Sequence, residues 1–408
     1  MKILVVTQYY YPEQFRITDI CEELVRRGHD VTVLTGIPNY PEGEVFNGYE
    51  KGKKNKETVN GVKVIRCDNK PRHKGLIKLA VNYISFVRKA NKAITSLIQH
   101  FDLAFVYELS PITMAIPAIK LKRMTGTPIY LYCLDIWPES VRDISHNRTM
   151  RTTNPIYILA YWISKGIYNA VDMIGVKNYG FIKYLLTTCK VEEKRIQLLY
   201  EHAENDYLEV NEDPIENGCY DFFFFGNIGY SQNCEIIIRA VEQINTKSEY
   251  RVHFVGDGSD KQRLKVYVER KGLSDIVIFH GKFPLRETLT FYNQADCCLL
   301  TLSDRTESGI TVPGKTLGYM GASRPIIASA SGETKTLIEK ADCGICVESG
   351  DIQCLAEAMT FAIEHQKEFS EKGKNGRAFF LRNYTLDTFI ENLIRQFVLT
   401  ISNSSETK

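Results

Sequence analysis

The sequence predicts an α/β protein built from two doubly wound, Rossmann-like domains, and three observations support this prediction. The chain has 408 residues, which is more than one hydrophobic core usually supports. Short apolar runs alternate with helical patterns along most of its length, as in a mainly parallel sheet covered on both faces. This rhythm stops in the polar stretch 206–218 and then restarts. The predicted domains are therefore 1–205 and 206–385.

The first domain begins with a strand directly after Met1, and apolar runs of strand length then alternate with helices that carry an apolar stripe. One helix start is marked by Asn154, a capping residue, followed by Pro155 at the first helical position. The predicted elements, in order, are Ile3–Thr7, Asp19–Arg27, Asp30–Leu34, Val62–Arg66, Leu76–Gln99, Leu103–Tyr107, Thr113–Thr125, Pro128–Cys133, Pro155–Asn169, Met173–Val176, Tyr179–Thr188 and Ile196–Leu199.

The second domain repeats the alternation after the linker and ends in three helical segments. The predicted elements, in order, are Asp221–Phe225, Asn233–Asn245, Tyr250–Val255, Lys261–Lys271, Ile276–His280, Pro284–Asn293, Cys297–Thr301, Lys315–Ala322, Pro325–Ala328, Lys335–Lys340, Gly344–Val347, Ile352–His365, Phe369–Tyr384 and Leu386–Thr400.

Composition is that of an ordinary globular protein, with 44% hydrophobic residues and a net charge of +2, so no global nucleic-acid signature is present. No signal peptide precedes the first strand, and no uncharged apolar run approaches the ~20 residues of a spanning helix. The eleven cysteines are scattered, and the single CxxC pair has no second pair, which disfavours a zinc site. Reduced thiols in a cytoplasmic protein fit this pattern.

A basic segment, Tyr49–Lys74, contains nine Lys or Arg residues against three acidic ones. It is either a solvated loop and strand edge or a patch for anionic lipid headgroups or a lipid pyrophosphate. The segment Lys74–Gln99 that follows is amphipathic, and is either a helix packed on the sheet or a membrane-surface contact. Its predicted apolar stripe consists of Leu76, Ala80, Tyr83, Val87, Ala90, Ile94 and Leu97.

Two motifs of the second domain are suited to a phosphate. In FFFFGNIGYSQN an apolar strand ends at Gly226, and glycines there let backbone N–H groups approach an anion. The motif is not GxGxxG, so no dinucleotide fingerprint is present, and an ordinary βα turn is the alternative. In VPGKTLGYM a turn places Lys315 at a helix start, where the N–H groups and the helix dipole favour phosphate. The alternative is a solvated surface lysine.

Three motifs of the first domain follow strands. They are YYYPEQ after the first strand, GIPNYP at residues 36–41, and DIWPES, which ends the strand Pro128–Cys133. Acidic residues at the carboxyl end of a parallel strand face a ligand cleft. Asp135 and Glu139 are therefore candidates for catalysis, although either residue could instead cap the following helix.

Together these motifs resemble the retaining family-4 glycosyltransferases, in the branch that builds bacterial O-antigens, capsules and exopolysaccharides. The resemblance covers nearly the whole chain and implies a GT-B fold, with two domains facing across a cleft and residues 386–408 crossing back onto the first domain. It implies donor-binding roles for Gly226, Asn227, Gly229, Gln232, Pro313, Gly314 and Lys315, and for the backbone of Lys282 and Phe283 at the nucleobase. It implies acceptor-side roles for Tyr11, Glu13, Asn39, Tyr40, Asp135 and Trp137.

The sequence departs from this family at two important positions. Gly318 stands where the family has a glutamate that binds the ribose, and the partner carboxylate position falls on Ile310. Another group, for which Glu307 is the candidate, would then hold the ribose, or else nucleotide affinity is low or activity is lost. Gly318→Glu is expected to restore the ribose contact and to raise nucleotide affinity, whereas a drop in affinity would mean that another group already fills the space. Leu134 replaces a histidine that many members carry.

The resulting prediction is a retaining, metal-independent glycosyltransferase without a cofactor, of the hexosyl or N-acetylhexosaminyl type. It would move a sugar from a nucleotide-diphosphate sugar to a lipid-linked saccharide, at the inner face of the plasma membrane, with Asp135, Glu139 and Lys315 as catalytic candidates. Its expected partners include an anionic membrane surface but no nucleic acid. The alternatives are a GT-B pseudoenzyme or partner subunit of another transferase, and a GT-B sugar-nucleotide 2-epimerase.

Overall fold

A computed structural model describes residues 1–50, 52–73, 75–97, 100–140, 152–303 and 312–406. The chain divides into two compact units. The first unit is Met1–Leu199 together with Ile390–Lys408, and the second unit is Tyr200–Phe389. Each unit contains one sheet with helices packed on it, which confirms the predicted α/β class and the two Rossmann-like halves.

In the described part of the first unit, eight strands form one sheet in the order β3-β4-β2-β1-β5-β6-β7-β8. All neighbours are parallel except β3, which is antiparallel to β4. The strand order reverses between β1 and β5, and ligands bind outside the carboxyl ends of the strands at such a point. The strands are β1 Lys2–Val6, β2 Asp30–Gly36, β3 Lys56–Val59, β4 Val62–Cys67, β5 Leu103–Glu108, β6 Ile129–Cys133, β7 Met173–Val176 and β8 Ile196–Leu198.

Strand β3 was not predicted, although it lies within the basic segment Tyr49–Lys74. It forms a hairpin with β4 through Asn60 and Gly61, both of which have positive φ angles (49° and 85°). An Asn-Gly pair between two strands is the usual sequence signal for such a turn. Several basic side chains of the segment are paired: Lys53 with Glu50, Lys63 with Asp30, and Arg66 with Glu57.

The helices of the first unit cover both faces of its sheet, and Asn154 caps helix α4 as predicted by accepting a hydrogen bond from the Ile156 N–H. The predicted stripe of helix α2 is correct at Ala90 and Ile94 but wrong at Ala80, which is exposed. Asn82 is buried instead, because its side chain bonds Gln8 at 2.6 Å. The helices are α1 Ile17–Arg26, α2 Leu76–Ser96, α3 Ile116–Thr125, α4 Pro155–Ala170 and α5 Tyr179–Thr187.

In the described part of the second unit, six parallel strands form a sheet in the order β11-β10-β9-β12-β13-β14. The order reverses between β9 and β12, so a ligand site is expected where these two strands end. The strands are β9 Tyr220–Phe225, β10 Tyr250–Val255, β11 Val277–Gly281, β12 Cys297–Thr301, β13 Ile326–Ser329 and β14 Gly344–Val347.

The helices that follow these strands include the one that joins the two units. Helix α13 begins in the second unit, and from Ile390 onward it belongs to the first, where Gln396 donates a hydrogen bond to the Leu198 carbonyl. The helices are α6 Glu235–Val241, α7 Lys261–Lys271, α8 Leu285–Gln294, α9 Gly314–Gly321, α10 Glu333–Ala341, α11 Ile352–Glu364, α12 Gln366–Asn383 and α13 Leu386–Glu406. None of the described helices has the length and apolarity needed to cross a membrane.

Candidate functional site

The second unit gathers a lysine, a glutamine and a glycine where β9 and β12 end. The Lys315 ammonium donates a hydrogen bond to Gln232 Oε1 at 2.7 Å and lies 4.0 Å from the centroid of the Phe224 ring. A Cβ atom at Gly226, whose φ angle is +114°, would lie 3.5 Å from Lys315 Nζ. Three of the predicted donor-binding residues therefore meet at one point, although they come from two different loops.

Helix α9 begins beside this lysine. Pro313 occupies its N-cap position, and a proline side chain cannot satisfy the free N–H groups of the first turn. These N–H groups and the Lys315 ammonium together form an anion-binding arrangement. Burial lowers the pKa of Lys315 to about 8, so the lysine is only partly protonated in weakly alkaline solution.

A second loop holds the Gly226 turn in place. The backbone N–H groups of Gly226 and Ile228 donate to the carbonyls of Val255 and Asp257, each at 2.9 Å. A Cβ atom at Gly256 would lie 1.8 Å from the Gly226 carbonyl oxygen, so only glycine permits this approach. The GDG turn after β10 therefore supports the site structurally. The generic sequence of this turn does not reveal that role. Asn227 and Gly226 remain exposed.

Position 318 is not an open space. A Cβ atom at Gly318 would lie 2.8 Å from Tyr207 Cζ and 3.1 Å from the Tyr207 hydroxyl oxygen. The Tyr207 ring also packs edge-on against Tyr292, with centroids 5.5 Å apart. A glutamate at position 318 would therefore be forced against the Tyr207 ring, and the restored ribose contact expected of Gly318→Glu stays a prediction. Glu307 and Ile310 lie outside the described residues.

The predicted nucleobase loop follows β11 and rests on a polar chain inside the sheet. His253 lies 2.9 Å from His280 and 3.0 Å from Asp221, and the His253 ring stacks on Phe223. Burial alone would raise the pKa of Asp221, but hydrogen bonds from His253 and Asn217 lower it overall. Burial also lowers the pKa of His280, and the neighbouring His253 lowers it further. Lys282 is exposed, and Phe283 packs on Phe291.

In the first unit, Glu13 and Asn39 join the loop after β1 to the GIPNYP loop. Glu13 accepts hydrogen bonds from the backbone N–H groups of Tyr10, Asn39 and Tyr40. Burial raises the pKa of Glu13 to about 7, although these hydrogen bonds oppose the shift. Tyr11 and Tyr40 point outward and are 41% and 36% exposed. Their contact with an acceptor stays a prediction.

Asp135 lies next to a buried carboxyl group that the sequence analysis missed. The Asp135 N–H points to Glu108 Oε2 at 3.5 Å, and Glu108 is completely buried at the end of β5. Burial raises the pKa of Glu108 well above its ordinary value, and the negative charge of Asp135 adds to this effect. Glu108, whose burial favours its neutral form, thus lies beside Asp135 at the end of β5, one of the two strands between which the strand order of this sheet reverses. A charged residue that ends an apolar strand, as in YELSP, was the available signal.

Glu139 and Trp137 are anchored rather than free. Glu139 Oε1 accepts hydrogen bonds from the hydroxyl groups of Tyr157 and Tyr184, which belong to helices α4 and α5. The indole N–H of Trp137 donates to Ser110 Oγ at 3.2 Å, and the ring is buried. These contacts fix the loop that carries Asp135. They favour a positioning role for Glu139 over the catalytic role that the sequence suggested.

The fold is similar to those of several solved structures. The structure of Anabaena Alr3699/HepE in complex with UDP matches with a TM-score of 0.68 at 13% identity, over 98% of this chain and 100% of that one. WaaG, a glycosyltransferase involved in lipopolysaccharide biosynthesis, matches with a TM-score of 0.63 at 13% identity, over 96% and 98%. These likenesses establish the GT-B fold.

The sequence is similar to those of glycosyl transferases. Residues 220–365 match the family model "Glycosyl transferases group 1", so the second unit carries that sequence pattern. The chain is 22% identical to the putative colanic acid biosynthesis glycosyl transferase WcaI of Escherichia coli K12, over 98% of this chain and 99% of the relative. It is 28% identical to the probable glycosyltransferase WbjE of Pseudomonas aeruginosa, over 42% of each chain.

The contact between Tyr207 and Gly318 can be tested by a double-mutant cycle. Gly318→Glu should lower the free energy of unfolding by about 1–3 kcal/mol, because the new side chain is forced against the Tyr207 ring. Tyr207→Ala should remove most of this loss when combined with Gly318→Glu. Urea unfolding measures the free energy of unfolding of the single and double variants. Additive effects of the two changes would mean that the two side chains do not compete for one space.

Glu108 should make the stability of the protein depend on pH. Its pKa is raised on folding, so the unfolded chain releases the proton first, and the free energy of unfolding falls as pH rises above about 4.3. Glu108→Gln should remove this contribution, so its stability relative to wild type should rise between pH 5 and 8. Urea unfolding across this range measures the difference. The control is Glu44→Gln, at an exposed position, whose free energy of unfolding should change with pH as that of wild type does. If the free energy of unfolding of Glu108→Gln also changes with pH as that of wild type does, Glu108 is ionised in the folded protein.

Proposed function

We propose that this protein is a retaining glycosyltransferase that moves a sugar from a nucleotide-diphosphate sugar to a saccharide acceptor during the synthesis of a cell-surface polysaccharide. The anion-binding arrangement around Lys315 carries this proposal, because a diphosphate is the chemical group that fits it. The match to group 1 glycosyl transferases supports it, since residues 220–365 include the whole arrangement. The names of the sequence relatives supply the setting in polysaccharide synthesis.

The proposed role of the second unit is to stabilise the departing diphosphate. Negative charge grows on the diphosphate as the bond to the sugar breaks, and a preorganised cation and N–H groups stabilise that charge without reorganising. Lys315 is held for this role by Gln232 and Phe224. We propose that these groups supply the positive charge, so that transfer does not require a bound metal. The sugar would be a hexose or an N-acetylhexosamine.

The proposed role of the first unit is to hold the acceptor hydroxyl group. Asp135 follows strand β6 and lies beside Glu108 at the end of β5, and burial raises the pKa of Glu108 well above its ordinary value, which favours the neutral form of Glu108. In a retaining transfer by front-face attack, the departing phosphate takes the proton of the acceptor, so Asp135 would orient the hydroxyl group rather than attack the sugar. The acceptor would be a lipid-linked saccharide at the inner face of the plasma membrane.

One observation favours a second candidate, a GT-B pseudoenzyme that supports a partner transferase. Tyr207 fills the space where the resembling family carries its ribose-binding glutamate. Such a protein would bind a nucleotide but would not turn over a nucleotide sugar. Turnover therefore separates the two candidates.

The direct test combines thermal protection with turnover. We expect one class of nucleotide sugar to raise the melting temperature and to release its nucleotide when a saccharide acceptor is added. Asp135→Asn should lower turnover by roughly 10²-fold or more with little change in donor affinity, because it acts on the acceptor. The anomeric configuration of the product, read by NMR, tests retention. If no nucleoside diphosphate or nucleotide sugar protects the protein, the proposal is wrong.

Lys315 should make donor binding depend on pH. An anion raises the pKa of a nearby ammonium, so at pH 8 binding of a nucleoside diphosphate should draw in about half a proton. Above pH 8 affinity should fall toward tenfold per pH unit, because the proton must be supplied on binding. Calorimetry in buffers of different ionisation enthalpy measures the uptake.

Lys315→Met should abolish this uptake and weaken binding. The matched control is Lys282→Met, since Lys282 is exposed and its predicted contact with the donor is through the backbone. Equal proton uptake by wild type and Lys315→Met would remove Lys315 from the donor site.

A further inference from the structure

Helix α4 presents a broad apolar surface to solvent. Ile156 and Leu159 are each 63% exposed and Trp162 is 62% exposed, and Ile158 and Ile163 are also exposed. We call these five residues the α4 apolar face. Soluble proteins rarely expose so many large apolar side chains together, and such patches mark binding sites for proteins or membranes.

The five residues lie on one side of the helix. Ile156, Leu159 and Ile163 are three or four positions apart, as are Ile158 and Trp162, so their side chains are neighbours on the helix surface. The opposite side, which includes Tyr157, Ser164, Ile167 and Tyr168, is buried against the rest of the first unit. Lys165 is the single charged residue in the sequence of this helix, PIYILAYWISKGIYNA. The helix is thus apolar on the outside as well as the inside.

Polar contacts at several points along the helix fix this orientation. The Tyr157 hydroxyl group donates to Glu139, and the Tyr161 hydroxyl group donates to the Thr188 carbonyl at 3.1 Å. Near the end of the helix, Asn169 donates to the Cys189 carbonyl at 3.2 Å. Rotation of the helix to bury its outer side would break all three contacts. The apolar face is therefore held outward by the fold.

The chemistry of the face fits a lipid bilayer better than a protein. Protein interfaces carry about one hydrogen bond per 100–200 Å², whereas the five side chains offer a single donor, the Trp162 indole N–H. At the border, Lys165 Nζ lies 5.4 Å from the Trp162 ring centroid and 5.7 Å from that of Tyr161. Aromatic rings beside a long basic side chain are typical of the headgroup level of a membrane. Lys183 and Lys190, on and after helix α5, add exposed positive charge nearby in the chain.

We propose that helix α4 lies in the plane of an anionic bilayer, with the α4 apolar face inserted at the boundary between headgroups and acyl chains. This inference deepens the proposed function, on whose lipid-linked acceptor it rests, and gives the membrane contact a specific surface. It differs from the sequence-based hypothesis, which placed the contact in the basic segment Tyr49–Lys74 and helix α2.

The test uses the full chain and vesicles without any acceptor. Wild type should sediment with vesicles of phosphatidylcholine and phosphatidylglycerol, and the Trp162 emission should shift to the blue, a change that Trp162→Phe abolishes. The triple variant Ile156→Ser, Leu159→Ser and Trp162→Ser should bind these vesicles at least about tenfold more weakly, because three apolar side chains no longer enter the bilayer. The variant should fold, because all three substituted side chains are exposed, and circular dichroism verifies this.

Two matched controls identify the surface. Val81→Ser with Ile84→Ser removes exposed apolar side chains from helix α2, and Lys53→Ser, Lys54→Ser and Lys56→Ser remove charge from the basic segment. Both variants should bind vesicles within about twofold of wild type, since neither alters the α4 apolar face. If either loses binding while the α4 triple variant keeps it, the contact lies elsewhere and the inference is wrong. Absence of wild-type binding at low salt would also overturn it.

A second copy of this chain is the other occupant that the test distinguishes. Light scattering would then show a dimer that the α4 triple variant converts to a monomer, and the inference would fail. The proposed activity is judged separately. The α4 triple variant should keep wild-type turnover with a short water-soluble acceptor, and Asp135→Asn should keep wild-type vesicle binding. If the wild-type protein lacks vesicle binding but has turnover, the proposed membrane contact fails. If it binds vesicles but has no turnover, the proposed activity fails.

Discussion

A half-buried ammonium group over a phenylalanine ring determines the chemistry of the second unit. Two contacts hold Lys315: the ring of Phe224, the last residue but one of strand β9, lies beneath its ammonium group, and Gln232 accepts its hydrogen bond. Gln232 in turn lies in a turn that is joined to strand β12, because the hydroxyl group of Thr301, the last residue of that strand, donates a hydrogen bond to the Gln232 carbonyl. Strands β9 and β12, between which the strand order reverses, therefore both help to hold Lys315 in position.

Burial shifts the ionisable groups of the two units in opposite chemical directions. In the second unit it lowers the pKa of Lys315 to about 8, so a fraction of the side chain is a neutral amine that can take up a proton when an anion binds. In the first unit it raises the pKa values of Glu13 and Glu108, which disfavours the charged forms of both carboxyl groups. One physical effect, the loss of water around an ionisable group, thus acts on the candidate residues of both units.

Local patterns predicted every described strand except β3, and the loops that follow them, because alternation of apolar runs and Gly or Pro turns depends on near neighbours in the chain. They could not reveal that Tyr207 occupies the space beside Gly318, since that contact joins two distant segments. Glu108 was missed because a carboxyl group inside an apolar run looks like the end of a strand and not like the partner of Asp135. Helix α4 was predicted with its cap, but periodicity cannot say which of two apolar sides of a helix is covered.

Glu139 links the two features of the first unit that the function would need. It follows Asp135 by four residues in the same loop, and its carboxylate accepts hydrogen bonds from Tyr157 of helix α4 and Tyr184 of helix α5. The loop that carries the candidate acceptor residue is therefore attached directly to the helix that carries the exposed apolar face. A lipid surface that holds helix α4 would also hold this loop at a fixed height above the headgroups.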